Sequence, residues 1–265
     1  MIESLSKILA ANGLNPELFT ASAGNEKIFR GELPAGRVVE TWMKLAKAAS
    51  ETKYWPIIRG TRDADYDPIE CDADAILAAV PTGSIREILK PRMEERREQL
   101  SEIMPEFAQA IDMDELGKLA DATGINLFGA RVEEPWPTEA PEPVDFHTVR
   151  ELKGRPAAVL LVRAEHSYHV PAHLGFGGWN DCPSPELQVA VLREWHKEYN
   201  AVPVCITGDV LECAVVKRPQ TEAEAMKLAA EQWIFCDDIV GQGTQTVRKL
   251  AMEIWRSPNW FFWWD

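Results

Sequence analysis

The sequence predicts an α+β protein, a mixed or antiparallel sheet packed against helices, with a helical insertion in its N-terminal part. Three observations carry that prediction. The run "PAAVLLVRA" (156–164) is a continuous apolar run with β-branched residues, which suits a buried strand. The segments "SPELQVAVLREWHKEY", "TEAEAMKLAAEQWIF" and "TQTVRKLAMEIW" read as helices that could cover it. The chain then closes on "NWFFWWD", where five of the last six residues are aromatic.

Taken in order, "MIESLSKILAANGL" spaces Ile2, Leu5, Ile8 and Leu9 as a short amphipathic helix. "EKIFRGEL" reads as a strand. "RVVETWMKLAKAAS" (37–50) puts Val38, Trp42, Leu45 and Ala49 on one helical stripe, and "YWPIIRG" (54–60) is a strand ended by Gly60. This β-α-β unit either extends the main sheet or forms its own small layer. Residues 72–122 read as mostly helical, with Pro91 and Pro105 as interruptions or restarts, and with Asp112 and Gly124 capping a helix. "EEPWPTEAPEPVD" (133–145) holds four prolines and four glutamates and favours extended polyproline geometry. The chain therefore divides into an acidic portion 1–132, a linker 133–145 and an α+β portion 146–265.

In that last portion a Gly-rich loop runs to Cys182. Ser184 is the N-cap of a helix with Pro185 at its first position, and Leu187, Val191, Trp195 and Tyr199 form its core stripe. "VPVCITGDVLECAVVKRP" reads as a β-hairpin turning at Gly208-Asp209. A further helix starts near Thr221. "NWFFWWD" becomes an interior strand covered on both faces. Trp260, Phe262 and Trp264 face one side, and Phe261 and Trp263 the other.

Composition narrows the setting. The formal net charge is -14, most of it in residues 1–145. No Lys/Arg cluster offers a stripe for phosphate backbones or an anionic membrane, so neither nucleic acid nor membrane is expected, whereas a basic protein partner would be attracted. The N-terminus lacks the basic start of a signal peptide, and no apolar run approaches the ~20 residues of a membrane span, which points to the cytoplasm. The five cysteines (71, 182, 205, 213 and 236) are irregularly spaced without a CxxC, which suits reduced thiols and not structural zinc.

The stretch richest in chemistry is "HSYHVPAHLGFGGWNDCPSPE" (166–186). Cys182 lies just before a helix N-terminus, whose dipole would favour a thiolate. His173 could serve as its base, with Asp181 or Asn180 orienting the ring, as in a hydrolase or acyl transferase. The plainer reading is a strand-to-helix connection in which Gly175, Gly177 and Gly178 allow unusual backbone angles and Trp179 plugs the core. Backbone N–H groups of the loop could also hold an anion, although it is neither a GxGxxG nor a P-loop. His166, His169 and His173 could form a metal triad, but Pro171 argues against a regular helix, and solvated or capping histidines are preferred. Asp63, Asp65, Asp67 and Asp74 follow a calcium-loop spacing, yet Pro68 replaces the required glycine, so an acidic loop is preferred. No metal or cofactor is expected. In "CDDIVGQGTQT" (236–246), Asp237 and Asp238 read as helix caps or a carboxylate pair, and Gln242 adds hydrogen-bonding capacity. Glu212, inside an apolar strand, needs a partner such as Arg218 or Arg248.

The ordered set "GFGGWNDCP" (175–183), "LREWHKEY" (192–199), "KRP" (217–219), "EAMKLAAEQWIFCDDIVGQG" (224–243) and "WFFWWD" (260–265) resembles a bacterial family, domain-of-unknown-function family 4253, over roughly residues 156–265. The resemblance implies no activity and transfers no functional residue. The leading functional expectation is a non-enzymatic protein-binding module, for which small acidic toxin-neutralising inhibitors are the analogy, with binding residues Trp179, Asn180, Asp237, Asp238 and Gln242. The alternative is the Cys182 hydrolase or transferase.

Overall fold

A computed structural model describes residues 3–22, 25–61, 71–103, 135–139 and 145–265. The first residues of the acidic loop (63–70), the Asp112–Gly124 helix and most of the 133–145 linker lie outside the described residues.

Seven strands form one sheet: β1 (Thr20–Ser22), β2 (Asn25–Leu33), β3 (Tyr54–Gly60), β4 (Ala157–Arg163), β5 (Val202–Ile206), β6 (Val210–Ala214) and β7 (Asn259–Trp263). Their spatial order is β1-β2-β4-β3-β5-β6-β7. Every pairing is antiparallel except β3 with β5, where Ile58 stands beside Cys205. The β-α-β unit of the N-terminal portion therefore extends the main sheet, and its two longer strands flank β4 on both sides. β4 is buried along six consecutive residues because strands border both its edges and helices cover both its faces.

Alternation along the strands feeds two cores. One face carries Phe29, Leu33, Tyr54, Ile58, Val159, Leu161 and Val204 against the helices α1 (Glu3–Ala11) and α2 (Val38–Thr52). Trp42 anchors α2 by donating from Nε1 to the Pro56 carbonyl at 2.8 Å. The other face carries Ile57, Leu160, Val162, Ile206, Leu211, Trp260 and Phe262. Packed on it are α4 (Ile85–Ile103), α7 (Pro185–Tyr199), α8 (Glu222–Phe235) and α9 (Val247–Ile254). Short helices α3 (Ala73–Ala78), α5 (His147–Glu151) and α6 (Val170–Leu174) fill the connections. None of the described helices is long and apolar enough to cross a membrane.

Local signals place these elements. Ser184 caps α7 with Pro185 at its start. Thr221 and Glu224 form a reciprocal capping box at the start of α8. The β5–β6 hairpin closes where Val210 and Thr207 exchange bonds. Pro91, expected to interrupt, instead lies inside a continuous α4. Ile88, Leu89 and Met93 bury beside it, and Arg92 donates to the Ile234 carbonyl, so tertiary contacts offset the lost backbone bond.

The C-terminal strand needs a larger correction. Among the described residues β7 pairs only with β6, which makes it an edge strand and not an interior one. Its Trp260, Phe262 and Trp264 are at most 1 % exposed, whereas Phe261 is 38 % exposed. The buried trio joins Trp195, whose ring lies 5.4 Å from both Trp260 and Phe262, and Phe235, 5.6 Å from Trp264. The opposite face is only partly covered, because the α1–α2 layer packs over β2 to β5.

Candidate functional site

The residues singled out around Cys182 are held by structure-building contacts. The Gly-rich turn does use the left-handed region, with φ of 59° at Gly175, 117° at Gly177 and 87° at Gly178. A Cβ on Gly177 would fall 2.0 Å from the Pro183 carbonyl oxygen, so the close approach requires glycine there. The Gly178 N–H is taken by the Cys182 and Pro183 carbonyls and the Cys182 N–H by the Trp179 carbonyl, which removes the anion cradle that the loop suggested.

Cys182 is 4 % exposed and accepts from Gln188 Nε2 at 3.4 Å. Burial pushes its thiol up to about 12, the reverse of the activated thiolate expected from the helix N-terminus. Asp181 does not orient a histidine. Its carboxylate accepts from Arg92 and Arg96, both at 2.8 Å. His173 lines a separate cleft with Lys27, Lys53 and His169, and neither Cys182 nor Asp181 lines that cleft.

Arg96 also reaches Asp237 at 3.2 Å, so α4 fastens the loop before α7 to the end of α8. Asp237 further accepts from Trp233 Nε1 at 2.7 Å. Asp238 accepts from Gln242 Nε2 and from the Asp265 N–H, which ties the C-terminus down. Neither acid makes the helix-capping bond that its position suggested. Trp179 is half-buried, edge-on to Phe176 at 5.1 Å, and Asn180 is exposed with φ of 46°. Among the described residues no group of three or more His, Cys, Asp or Glu side chains is placed to hold a metal.

A better candidate lies where the sheet is left open. On the outer face of β6 and β7, Glu212 stands opposite Phe261, and Val210 opposite Trp263. Glu212 is 2 % exposed, and its two oxygens accept the N–H groups of His147 and Thr148. The first N–H groups of a helix have no partner within it, so the buried carboxylate and α5 satisfy one another. This replaces the expected pairing with Arg218 or Arg248; Arg248 instead pairs with Glu222. The bond fixes α5 over the sheet, and the His147 ring comes to lie 5.2 Å from Phe261.

The result is a groove with two adjoining lobes. One lobe, of about 590 Å³, lies between α5 and the π-helical turn Ile239–Thr244 with α9 behind it. The other, of about 510 Å³, runs towards Arg59, Thr61, Thr207 and Asp209. His147, Phe261 and Trp263 line both. Its carboxyl groups are Asp145, Glu151, Asp209, Glu212 and Glu253, against the cations Arg59 and Arg150. Arg59 and Glu212 are buried and engaged, which leaves the open rim net acidic. π-Helical turns concentrate at functional sites, and this one forms a wall. Alternation in "NWFFWWD" was enough to put Phe261 and Trp263 on one face; nothing in the sequence marked that face as open.

No curated protein and no solved structure matches this chain. The model of one family, a domain of unknown function (DUF4253), matches residues 158–265, and it is the family that the ordered motifs resemble.

Proposed function

We propose that the protein is a protein-binding module that takes a basic, extended segment of a partner chain into the groove over β6 and β7. The observation that carries this reading is an aromatic floor, Phe261 and Trp263, rimmed by Asp145, Glu151, Asp209 and Glu253. Aromatic faces attract Arg and Lys, and carboxylates at a rim steer cations, so the chemistry suits a cationic peptide. The net charge of -14 favours the same partner at long range. A toxin-neutralising role is one use for such a module. The burial of Cys182 leaves the hydrolase reading without an accessible nucleophile.

The test is fluorescence anisotropy with a labelled Arg/Lys-rich peptide and its Glu-substituted counterpart. Binding of the basic peptide alone is expected, weakening as salt rises. Phe261→Ala should cost about tenfold or more in affinity with little change in melting temperature, because the ring is partly exposed. Equal affinity for both peptides, or an unchanged affinity in Phe261→Ala, would reject the reading.

A further inference from the structure

A second cleft shares no lining residue with the groove over β6 and β7. Between β2, the start of α3, the end of β4 and α6 is a cleft of about 460 Å³. Three cations line it: Lys27, Lys53 and Arg163. They outnumber its two acids, Asp74 and Glu165, in a chain that is otherwise strongly negative. The acids are committed to the lysines, Asp74 at 3.8 Å from Lys27 and Glu165 at 2.7 Å from Lys53. Arg163 has no ion-pair partner among the described residues. Lys53 is held firmly at the rim. Its backbone is left-handed, with φ of 59°, its N–H closes α2 onto the Ala49 carbonyl, and its carbonyl accepts from Ala164.

The floor carries the second observation. His173 is 8 % exposed and its ring has no hydrogen-bond partner among the described residues. A buried imidazole without a partner is a cost unless something arrives to bond it. Burial, and then the charge of Lys27, hold its pKa down. His169 beside it is lowered to about 4, first by burial and then by His166 and His173. At neutral pH both rings are therefore uncharged, each with one N–H to donate and one nitrogen to accept.

We propose that this cleft binds a phosphate-type oxyanion, with His173 and His169 contacting it at the floor and Arg163, Lys53 and Lys27 at the rim. The candidate donors come from separate elements, β2, the C-terminal end of α2, β4 and the turn leading into α6, which suits the several oxygens of a tetrahedral anion. Charge-assisted bonds from a guanidinium and ammonium groups are the strong ones for such a ligand. A hydroxyl on a phosphate monoanion could also donate to the bare imidazole nitrogen. The cleft is larger than a phosphate ion, and Leu77 and Ala164 give it an apolar side, so the phosphate group of a small phosphomonoester fits it best.

Isothermal titration calorimetry at pH 7 with inorganic phosphate, glycerol 3-phosphate and acetate tests this. One site is expected for the first two and no measurable heat for acetate. Tighter binding of the ester than of inorganic phosphate would identify the organic phosphate as the ligand class, and equal binding would identify the free oxyanion; both support the site. Arg163→Glu, an exposed substitution, should lose about tenfold or more in affinity while the melt is retained. His173→Gln should do the same, and the ring signals of His173 and His169 should shift on phosphate addition in the unaltered protein. Absence of binding at about 10 mM of either phosphate, equal binding of acetate, or insensitivity to Arg163→Glu would overturn the proposal.

Discussion

Glu231 shows how one buried group sets a pH dependence. It sits in α8, 1 % exposed, with Oε2 accepting from Trp195 Nε1 at 3.1 Å and Oε1 3.7 Å from Lys227. Lys227 favours the carboxylate, but burial is the larger influence and raises the pKa from 4.5 to about 7. Between those values the folded protein holds a proton that the unfolded chain has released. The associated stability is full below about pH 4.5 and is lost as pH rises through 7. Glu231→Gln keeps an acceptor for Trp195 and removes the charge. At pH 8 it should raise the unfolding free energy by about 1–3 kcal/mol, and at pH 4 it should change it little. Urea denaturation at the two pH values measures this, and parallel pH dependence in the two proteins would contradict it. Glu212 meets the same need for a partner by different means, through two backbone N–H groups and not a charge. Cys182 shows the limit of a positional argument: its helix-start position suggests a thiolate, but burial dominates its pKa.

Among the elements, those set by local chemistry were legible in the sequence. The helices that begin at Ser184-Pro185 and at Thr221 are set by contacts a few residues long, and both start where the pattern put them. Alternation likewise assigned Trp260, Phe262 and Trp264 to one buried face. What depended on distant partners was not legible. The edge position of β7 follows from which strands lie beside β6, and the openness around Phe261 follows from where the α1–α2 layer stops. The acceptor role of Glu212 was equally hidden, since backbone N–H groups at a helix start leave no residue signature. Being at the edge does not make β7 dispensable. Replacing one buried large aromatic typically costs about 3–5 kcal/mol, and whole domains are stable by only about 5–15 kcal/mol. Deleting residues 260–265 removes three such side chains and bares one edge of β6, so the cooperative thermal transition should disappear. Phe261→Ala should retain it. A cooperative melt in the truncated protein would return the aromatic terminus to the status of a dispensable tail.

For the molecule as a whole, the decisive fact is the place of β4 in the sheet. Both of its neighbours, β2 and β3, come from the N-terminal portion, although β4 opens the region matched by the family model. β3 pairs with β4 along its length and stands between β4 and β5 in the sheet. Without residues 25–60, β4 would keep its apolar side chains but lose the backbone partners on both edges. The remaining hairpin β5–β6 and strand β7 would form a separate three-stranded piece. Unpaired buried N–H and C=O groups are costly, and an apolar strand with two free edges is prone to aggregate. An isolated fragment 146–265 is therefore expected to lack a cooperative melt by circular dichroism and to elute as aggregates. Co-expression with fragment 1–132 should restore it, because that fragment supplies both missing strands together with Trp42 and the rest of the α1–α2 layer. The reassembled pair should co-elute and melt as one unit. A fragment 146–265 that melts cooperatively by itself would show that β4 finds other partners, and that the sheet linking the two portions is not what holds the C-terminal core together.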